Sequence, residues 1–362
     1  MSGSHIGRRH LIAAALLAFV AATALLSLSV VGRGTAAGHV VAGGLSSQDA
    51  PRPAASAEAR ERSSAWDLAA SRLPGALVAV VDTGVAPTPG LAGRVEEGES
   101  FVGGDATADE NGHGTAVAGI LAGIAGVCHT CRILPLRVSA GASGIASPEN
   151  IAAAVDAAVR RGVAVINLSM VATNPTEVER AAFARAVAAG VVVVAAAGNM
   201  ASATESYPAG YPGVLAVGAA GDDGLLAGFS NRGSWVSVLA PGCGRSQSPA
   251  GGEVYFCGTS AAAPYVAGVA AVLRVAVPSA TATDVVGAIR RSARPVEGVA
   301  DGIVDPVAAL AAIGGAIPVA TTVKKTASAN AAATKLKRVT QAKTKKAKLT
   351  KAASARARSV KP

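Results

Sequence analysis

The sequence predicts a doubly wound α/β domain, a mainly parallel sheet with helices on both faces. Three observations point there. Short runs of Val, Ile, Leu and Ala recur: "ALVAVVDTG", "CRILPLRVSA", "GVAVINLSM", "GVVVVAAAGN" and "VLAVGAAG". Strands that are apolar on both faces are buried on both faces, which is the habit of parallel sheets. Ala-rich stretches of helical length lie between them: "HGTAVAGILAGIAG", "PENIAAAVDAAVRRG" and "PTEVERAAFARAVAAG". Alternating strands and helices build βαβ units, whose functional groups collect at the carboxyl ends of the strands. Finally, 51 % of residues are hydrophobic but only 3 % aromatic, so the core must be built from small aliphatic side chains.

This pattern occupies residues 63–313 of the 362. Ahead of it, "MSGSHIGRRH" leads into an apolar run from Leu11 to Val31, and "TAAG" follows at 35–38. Positive charge followed by an apolar stretch marks an export signal, and a run of roughly 20 residues is also long enough to span a bilayer. Residues 1–37 are therefore predicted to be a signal peptide or an N-terminal membrane anchor, either of which places the body outside the cytoplasm. Residues 38–62, rich in Gly, Ser, Pro and charge, are predicted to be a linker or a short pro-segment.

After residue 313 the apolar pattern stops. Residues 314–362 form a Lys/Ala/Thr tail, expected to be disordered because it has too few large apolar groups to offset the entropy of ordering. Of the 33 basic residues 13 lie between 324 and 361, leaving 20 against 23 acidic residues in the rest of the chain. The basicity thus belongs to the tail and not to the body. Without aromatic residues the tail cannot stack on bases, so specific nucleic-acid binding is not expected. Weak solubilising attraction and binding to an anionic envelope polymer or lipid are the two readings that remain.

Four residues carry chemistry. Asp82 ends the "ALVAVVD" run. His113 stands in the Gly-bracketed turn of "DENGHGTAVAGI", and Ser260 enters a helix in "FCGTSAAAPYVAGVAAVL". A serine hydroxyl becomes a useful nucleophile when a base takes its proton, and histidine does this near neutral pH. A buried carboxylate would fix the imidazole tautomer. Asn199 follows the "VVVVAAAG" strand, where a side-chain N–H can assist the backbone donors of a helix N-terminus in holding an oxyanion. Taken singly, Asp82 reads as a turn former, His113 as a loop histidine, Ser260 as a helix cap and Asn199 as a turn residue. Together they form an ordered set.

The segments "VVDTGV", "NGHGTAVAG", "AAAGN" and "GTSAAAPYVAG" resemble the subtilisin-like serine peptidases, and the resemblance runs from Val78 to Leu310. It implies a subtilisin-like fold, an exported serine endopeptidase with no organic cofactor, polypeptide substrates, and a monomer. Asp82 would be the orienting acid, His113 the general base, Ser260 the nucleophile and Asn199 the oxyanion donor. The rival from another class is a catalytically idle protein that binds peptides or polyanions. The tripeptide Asp82-Thr83-Gly84 also occurs in aspartic proteases, but those need a second such loop, which this sequence lacks.

By the same resemblance, Ser169, Met170 and Val171 would form the edge that pairs with extended substrate, and Ser206 would lie near the floor of the first specificity pocket. Val171 stands where many members have Gly and is expected to narrow that pocket. Ala116, Ala261 and Tyr265 also depart from well-known members. Gly90 replaces the acid of a common calcium site, so no metal is expected there. Asp105, Asp109 and Glu110 are expected to form a solvated acidic loop. The folding-assistant pro-domain common in the family is expected to be missing, since 38–62 is too short for it. The ending "DGIVDPVAAL" is similar to that of the membrane-associated mycosins, a neighbouring branch.

The four cysteines, even in number in an exported chain, predict two disulfides. Sequence proximity pairs Cys243 with Cys257 across a segment able to double back as a hairpin, and leaves Cys128 with Cys131.

Overall fold

Eight parallel strands form the floor on which the four candidate residues stand. The computed structural model describes residues 39–41, 44–46 and 57–315. Its strands in chain order are β1 (His39–Val41), β2 (Gly44–Ser46), β3 (Leu77–Asp82), β4 (Glu99–Ser100), β5 (Arg132–Arg137), β6 (Ile145–Ala146), β7 (Val165–Leu168), β8 (Met170–Val171), β9 (Val192–Ala196), β10 (Leu215–Ala220), β11 (Val238–Pro241), β12 (Cys243–Gln247), β13 (Glu253–Cys257) and β14 (Gly302–Ile303). The central sheet has the order β14-β11-β10-β9-β7-β3-β5-β4, every neighbour parallel.

The apolar runs explain why the sheet is covered twice. In β3, Val78 and Val80 enter one core while Ala79 and Val81 enter the other. The first core holds the helices His113–Ala122 and Thr259–Ala276, and the second holds Pro148–Arg160 and Glu177–Ala188. Helix Thr259–Ala276 lies against β7, β9, β10 and β11, and its run of Ala, Gly and Val lets it approach the sheet closely. Among the described residues it is the one helix long and apolar enough to cross a membrane, and its composition is accounted for by burial in this core.

Two short sheets flank the central one. The first has the order β6-β1-β8 and the second β12-β13-β2. Both therefore contain strands from the segment predicted to be a linker. The boundary predicted at residue 63 also falls inside a helix, Ala57–Ala70. That helix is pinned to the body by the Trp66 indole N–H, which donates to the Val127 carbonyl at 3.0 Å. The surrounding Gly, Ser and Pro concealed these elements, and the two strands, three residues each, are held by pairing with distant strands. The predicted signal or anchor and the basic tail lie outside the described residues.

Candidate active site

Asp82 ends β3, with β5 and β7 on either side, and is fully buried. Its Oδ1 accepts the Thr83 backbone N–H at 2.8 Å and faces His113 Nδ1 at 2.8 Å. That contact places the imidazole proton on Nδ1 and leaves Nε2 as an acceptor. Nε2 is buried and has no hydrogen-bond partner among the described residues. The Phe256 ring meets the imidazole edge-on, with centroids 5.3 Å apart.

The turn carrying His113 is held by Asp109. One carboxylate oxygen accepts from the Thr83 hydroxyl at 2.7 Å and from the Gly112 N–H at 2.8 Å. The other accepts from the Thr115 N–H at 2.8 Å and from the Thr115 hydroxyl at 2.6 Å. The expected solvated acidic loop is corrected at Asp109, which is buried. Asp105 and Glu110 are exposed, Asp105 binding the Thr107 N–H and hydroxyl and Glu110 pairing with Arg137 at 2.7 Å. Gly114 lets the histidine turn close on β3, since a Cβ there would stand 2.0 Å from the Gly84 carbonyl oxygen.

Ser260 is the second residue of helix Thr259–Ala276, which starts after Gly258 at φ 118°. A backbone N–H at that position has no carbonyl of its own helix to reach, so it faces outward as a donor. The Ser260 hydroxyl donates to the Ser169 carbonyl at 3.1 Å, so in this state it is turned to Ser169 and not to His113. Ser169 answers by donating its own hydroxyl to the Ser260 carbonyl at 3.2 Å. That carbonyl is open because the residue four places on is Pro264, which has no N–H. Asn167 orients Ser169 through a 3.1 Å bond from its Nδ2.

Asn199 is oriented by Thr259. Its Oδ1 accepts both the Thr259 N–H and hydroxyl at 2.9 Å, which directs the amide's N–H end away from Thr259. The turn itself is braced from behind by Asn231, whose Oδ1 accepts from Met200 and Ser202 and whose Nδ2 donates to Ala197. A Cβ built on Gly198 would lie 3.5 Å from Val171 Cγ1, so the Val171 side chain fills space beside this turn. Ser206 is buried with its hydroxyl donated to the Ala197 carbonyl at 2.6 Å.

Beyond the edge strand β8, Ala172 and Tyr207 exchange backbone bonds of 2.7 and 2.9 Å. Beneath them Glu179 Oε2 accepts from the Thr176 and Tyr211 hydroxyls, each at 3.0 Å. Burial pushes the Glu179 carboxyl up from 4.5 to about 7, against the hydrogen bonds from Tyr211 and Thr176. Burial also pushes the Tyr211 phenol up to about 12.

The cysteines pair as expected, Cys128 with Cys131 and Cys243 with Cys257. Cys243 and Cys257 face each other across the β12–β13 hairpin, two steps ahead of Thr259. Sequence reading missed Asp109, Thr83, Thr115, Thr259, Asn167 and Asn231. The signal for Asp109 was present in "DENGHGT", an acid just ahead of a helix start where it can accept freed N–H groups.

A parallel sheet covered by helices on both faces, with Asp82, His113 and Ser260 on three separate turns, puts the chain in the doubly wound α/β class. Within that class the chain belongs to the subtilase family of peptidase S8, whose pattern matches residues 74–341. It is similar to the thermophilic serine proteinase of Bacillus sp. (strain AK1), 43% identical over 219 residues, covering 58% of this chain and 54% of that one. It is also similar to the M-protease of Shouchella clausii (strain KSM-K16), 40% identical over 214 residues, 57% of this chain and 55% of the relative. Subtilisin Savinase of Lederbergia lenta matches at 40% over 214 residues, 57% of this chain and 78% of the relative. The chain thus spans about half the length of the first two of these relatives.

Proposed function

We propose that this chain is an exported serine endopeptidase. The observation that carries the reading is the 2.8 Å contact between Asp82 and His113 Nδ1, which leaves Nε2 open at the sheet end where Ser260 starts its helix. In the reaction, Ser260 Oγ attacks the scissile carbonyl carbon as His113 Nε2 takes its proton. Asp82 holds the tautomer and stabilises the imidazolium. The Ser260 N–H and the Asn199 Nδ2 donate to the oxyanion. His113 then gives the proton to the leaving amine, and water releases the acyl group by the same steps in reverse.

Ser169, Met170 and Val171 supply the edge along which substrate extends, and Ser206 braces the pocket behind it. The Val171 side chain beside Gly198 favours small residues at the first specificity position. The N-terminal apolar run would direct export or anchor the chain at the outer face of the cytoplasmic membrane. The tail would hold it on anionic envelope polymer or lipid.

A fluorophosphonate probe tests the chemistry. Ser260 is expected to be labelled, and Ser260→Ala to lose both labelling and casein hydrolysis. Undiminished hydrolysis by that variant would end the serine-nucleophile reading and leave the idle binding protein. Retention on an anionic matrix, compared for the full chain and one ending at residue 323, tests the tail. Loss of retention and of its salt dependence is expected on truncation, and equal retention would remove the role.

A further inference from the structure

The two ends of the central sheet carry opposite charge. The neighbouring strands β7, β3, β5 and β4 are mutually parallel, so all four start at one end of the molecule and finish at the other. The end where they finish holds Asp82, Asp105, Asp109 and Glu110, with Arg137 paired to Glu110 at 2.7 Å. The end where they start holds Arg72 ahead of β3, Arg94 ahead of β4, Arg132 as the first residue of β5, and Arg160 and Arg161 ahead of β7. Glu96 and Glu97 are the acids in the segments leading into these strands. Arg132 pairs with the Glu96 carboxylate at 2.9 Å, and Arg161 donates to the Glu97 carbonyl at 3.2 Å. Arg72 and Arg160 are exposed, and neither guanidinium has a partner among the described residues. Strands lie about 4.8 Å apart, so this row of arginines crosses roughly 15 Å.

An apolar side chain projects from the same end. Helix His113–Ala122 starts beside Asp82 and finishes at the strand starts, where the Arg94 guanidinium donates to the Ala122 carbonyl. The turn that follows presents Ile124, which is 75% exposed, more than any other large apolar side chain among the described residues. That turn is closed and firm. Gly126 N–H bonds to the Gly123 carbonyl at 2.9 Å, and the Val127 and Cys128 N–H groups bond back to Ile120 and Leu121 at 3.1 and 2.8 Å. The segment carrying Arg72 is pressed against the same connection, since a Cβ on Gly75 would lie 1.6 Å from the Thr130 carbonyl oxygen.

We infer that this end of the molecule is a docking surface for an anionic phospholipid bilayer. The arginines meet the phosphate groups, and Ile124 enters the boundary between headgroups and acyl chains. Ile124 decides between a bilayer and a dissolved polyanion. Both attract the arginines, but a bilayer also removes the isoleucine from water. Strand β3 has six residues and is about 20 Å long, so docking by its start leaves His113 and Ser260 at the far end, open to peptide. The surface belongs to the body of the protein and does not depend on the basic tail or on the reactivity of Ser260.

Ile124→Trp in the full chain tests this, with wild type, which carries Trp66 and Trp235, as the baseline. The added indole is expected to shift its emission to the blue on phosphatidylglycerol vesicles and to be quenched by bromines placed on their acyl chains. Adding Arg72→Glu and Arg160→Glu is expected to raise the lipid needed for half the shift by roughly 25-fold or more, about fivefold for each arginine lost from an anionic surface. Ile124→Asp, made in the wild-type background, is expected to co-sediment less with the same vesicles at equal salt. Casein hydrolysis in solution is expected to be unchanged in every variant, so failure of this inference and failure of the peptidase reading are told apart. No shift on anionic vesicles, an equal shift on phosphatidylcholine vesicles, or a shift untouched by the two charge reversals would overturn the inference. A shift produced equally by dissolved polyphosphate would overturn it too, and would make the occupant a soluble polyanion.

Discussion

The two sides of the cleft are held by opposite chemistry. His113 sits over two buried carboxylates, Asp82 on its ring and Asp109 beneath its turn. Ser260 is surrounded by neutral groups, the Ser169 carbonyl and hydroxyl, and by Asn199 locked onto Thr259. The difference follows the charges that the proposed reaction creates. Positive charge forms on the imidazole and negative charge on the substrate oxygen. A carboxylate beside the oxyanion would oppose the second, and an unpaired donor cluster beneath His113 would oppose the first. Each side is thus arranged for the charge it will carry before any substrate reacts.

The sharpest way to break this contrast is on the donor side. Asn199→Ala is expected to lower kcat by about 10²–10³ with little change in KM, the range seen on removing one such donor in a subtilisin. Steady-state kinetics on a small peptide would check it. A rise in KM at constant kcat would mean that Asn199 binds ground-state substrate, and the comparison would lose its donor half.

The anion side should respond differently. Asp109 presents two acceptor oxygens to four donors, of which the Gly112 and Thr115 N–H groups cannot rotate away. Asp109→Asn would aim an NH₂ group at one of those fixed donors, leaving it unsatisfied at a cost of about 1–3 kcal/mol. The urea midpoint is expected to fall by a corresponding amount, and kcat to fall less than in Asn199→Ala because Asp82 still holds the ring. An unchanged midpoint would show that Asp109 contributes nothing to the turn.

The sequence made the floor legible and the braces obscure, for a physical reason. Strands such as "VVVVAAAGN" and residues such as Asp82, His113, Ser260 and Asn199 announce themselves through apolar runs that end in turn chemistry. Local patterns of that kind survive in one dimension. Asn231, Thr259 and Asp109 act across the chain, Asn231 on a turn more than 30 positions earlier, and nothing beside them in sequence names the partner. The strands β1 and β2 were hidden for the same reason, since each is only three residues long and is held by pairing with the distant strands β6, β8 and β13. The cysteine pairing was legible because the partners are close in sequence and one hairpin joins Cys243 to Cys257.

Glu179 sharpens the comparison from outside, because it is a third buried carboxylate that neither side uses. Asp109 meets four donors, whereas Glu179 receives the Thr176 and Tyr211 hydroxyls on a single oxygen, and burial raises it from 4.5 to about 7. The sign of the pH effect follows from that direction. Below the unfolded value both folded and unfolded chains hold the proton, and the stabilisation is fully present. As pH rises toward 7 the unfolded chain ionises first and is favoured, so stability is lost by at most about 1.4 kcal/mol per pH unit. Above the folded value both states are ionised and the loss stops. Glu179→Gln cannot ionise, so its stability should lack this decline. The difference in unfolding free energy, wild type minus variant, is expected to fall from pH 4.5 to 7 and then level, with peptide hydrolysis at neutral pH unchanged. A difference that stays flat across the window would mean that Glu179 is ionised in the folded protein. A loss of activity in the variant would move this brace into the working part of the cleft, where the charges of the other two carboxylates belong.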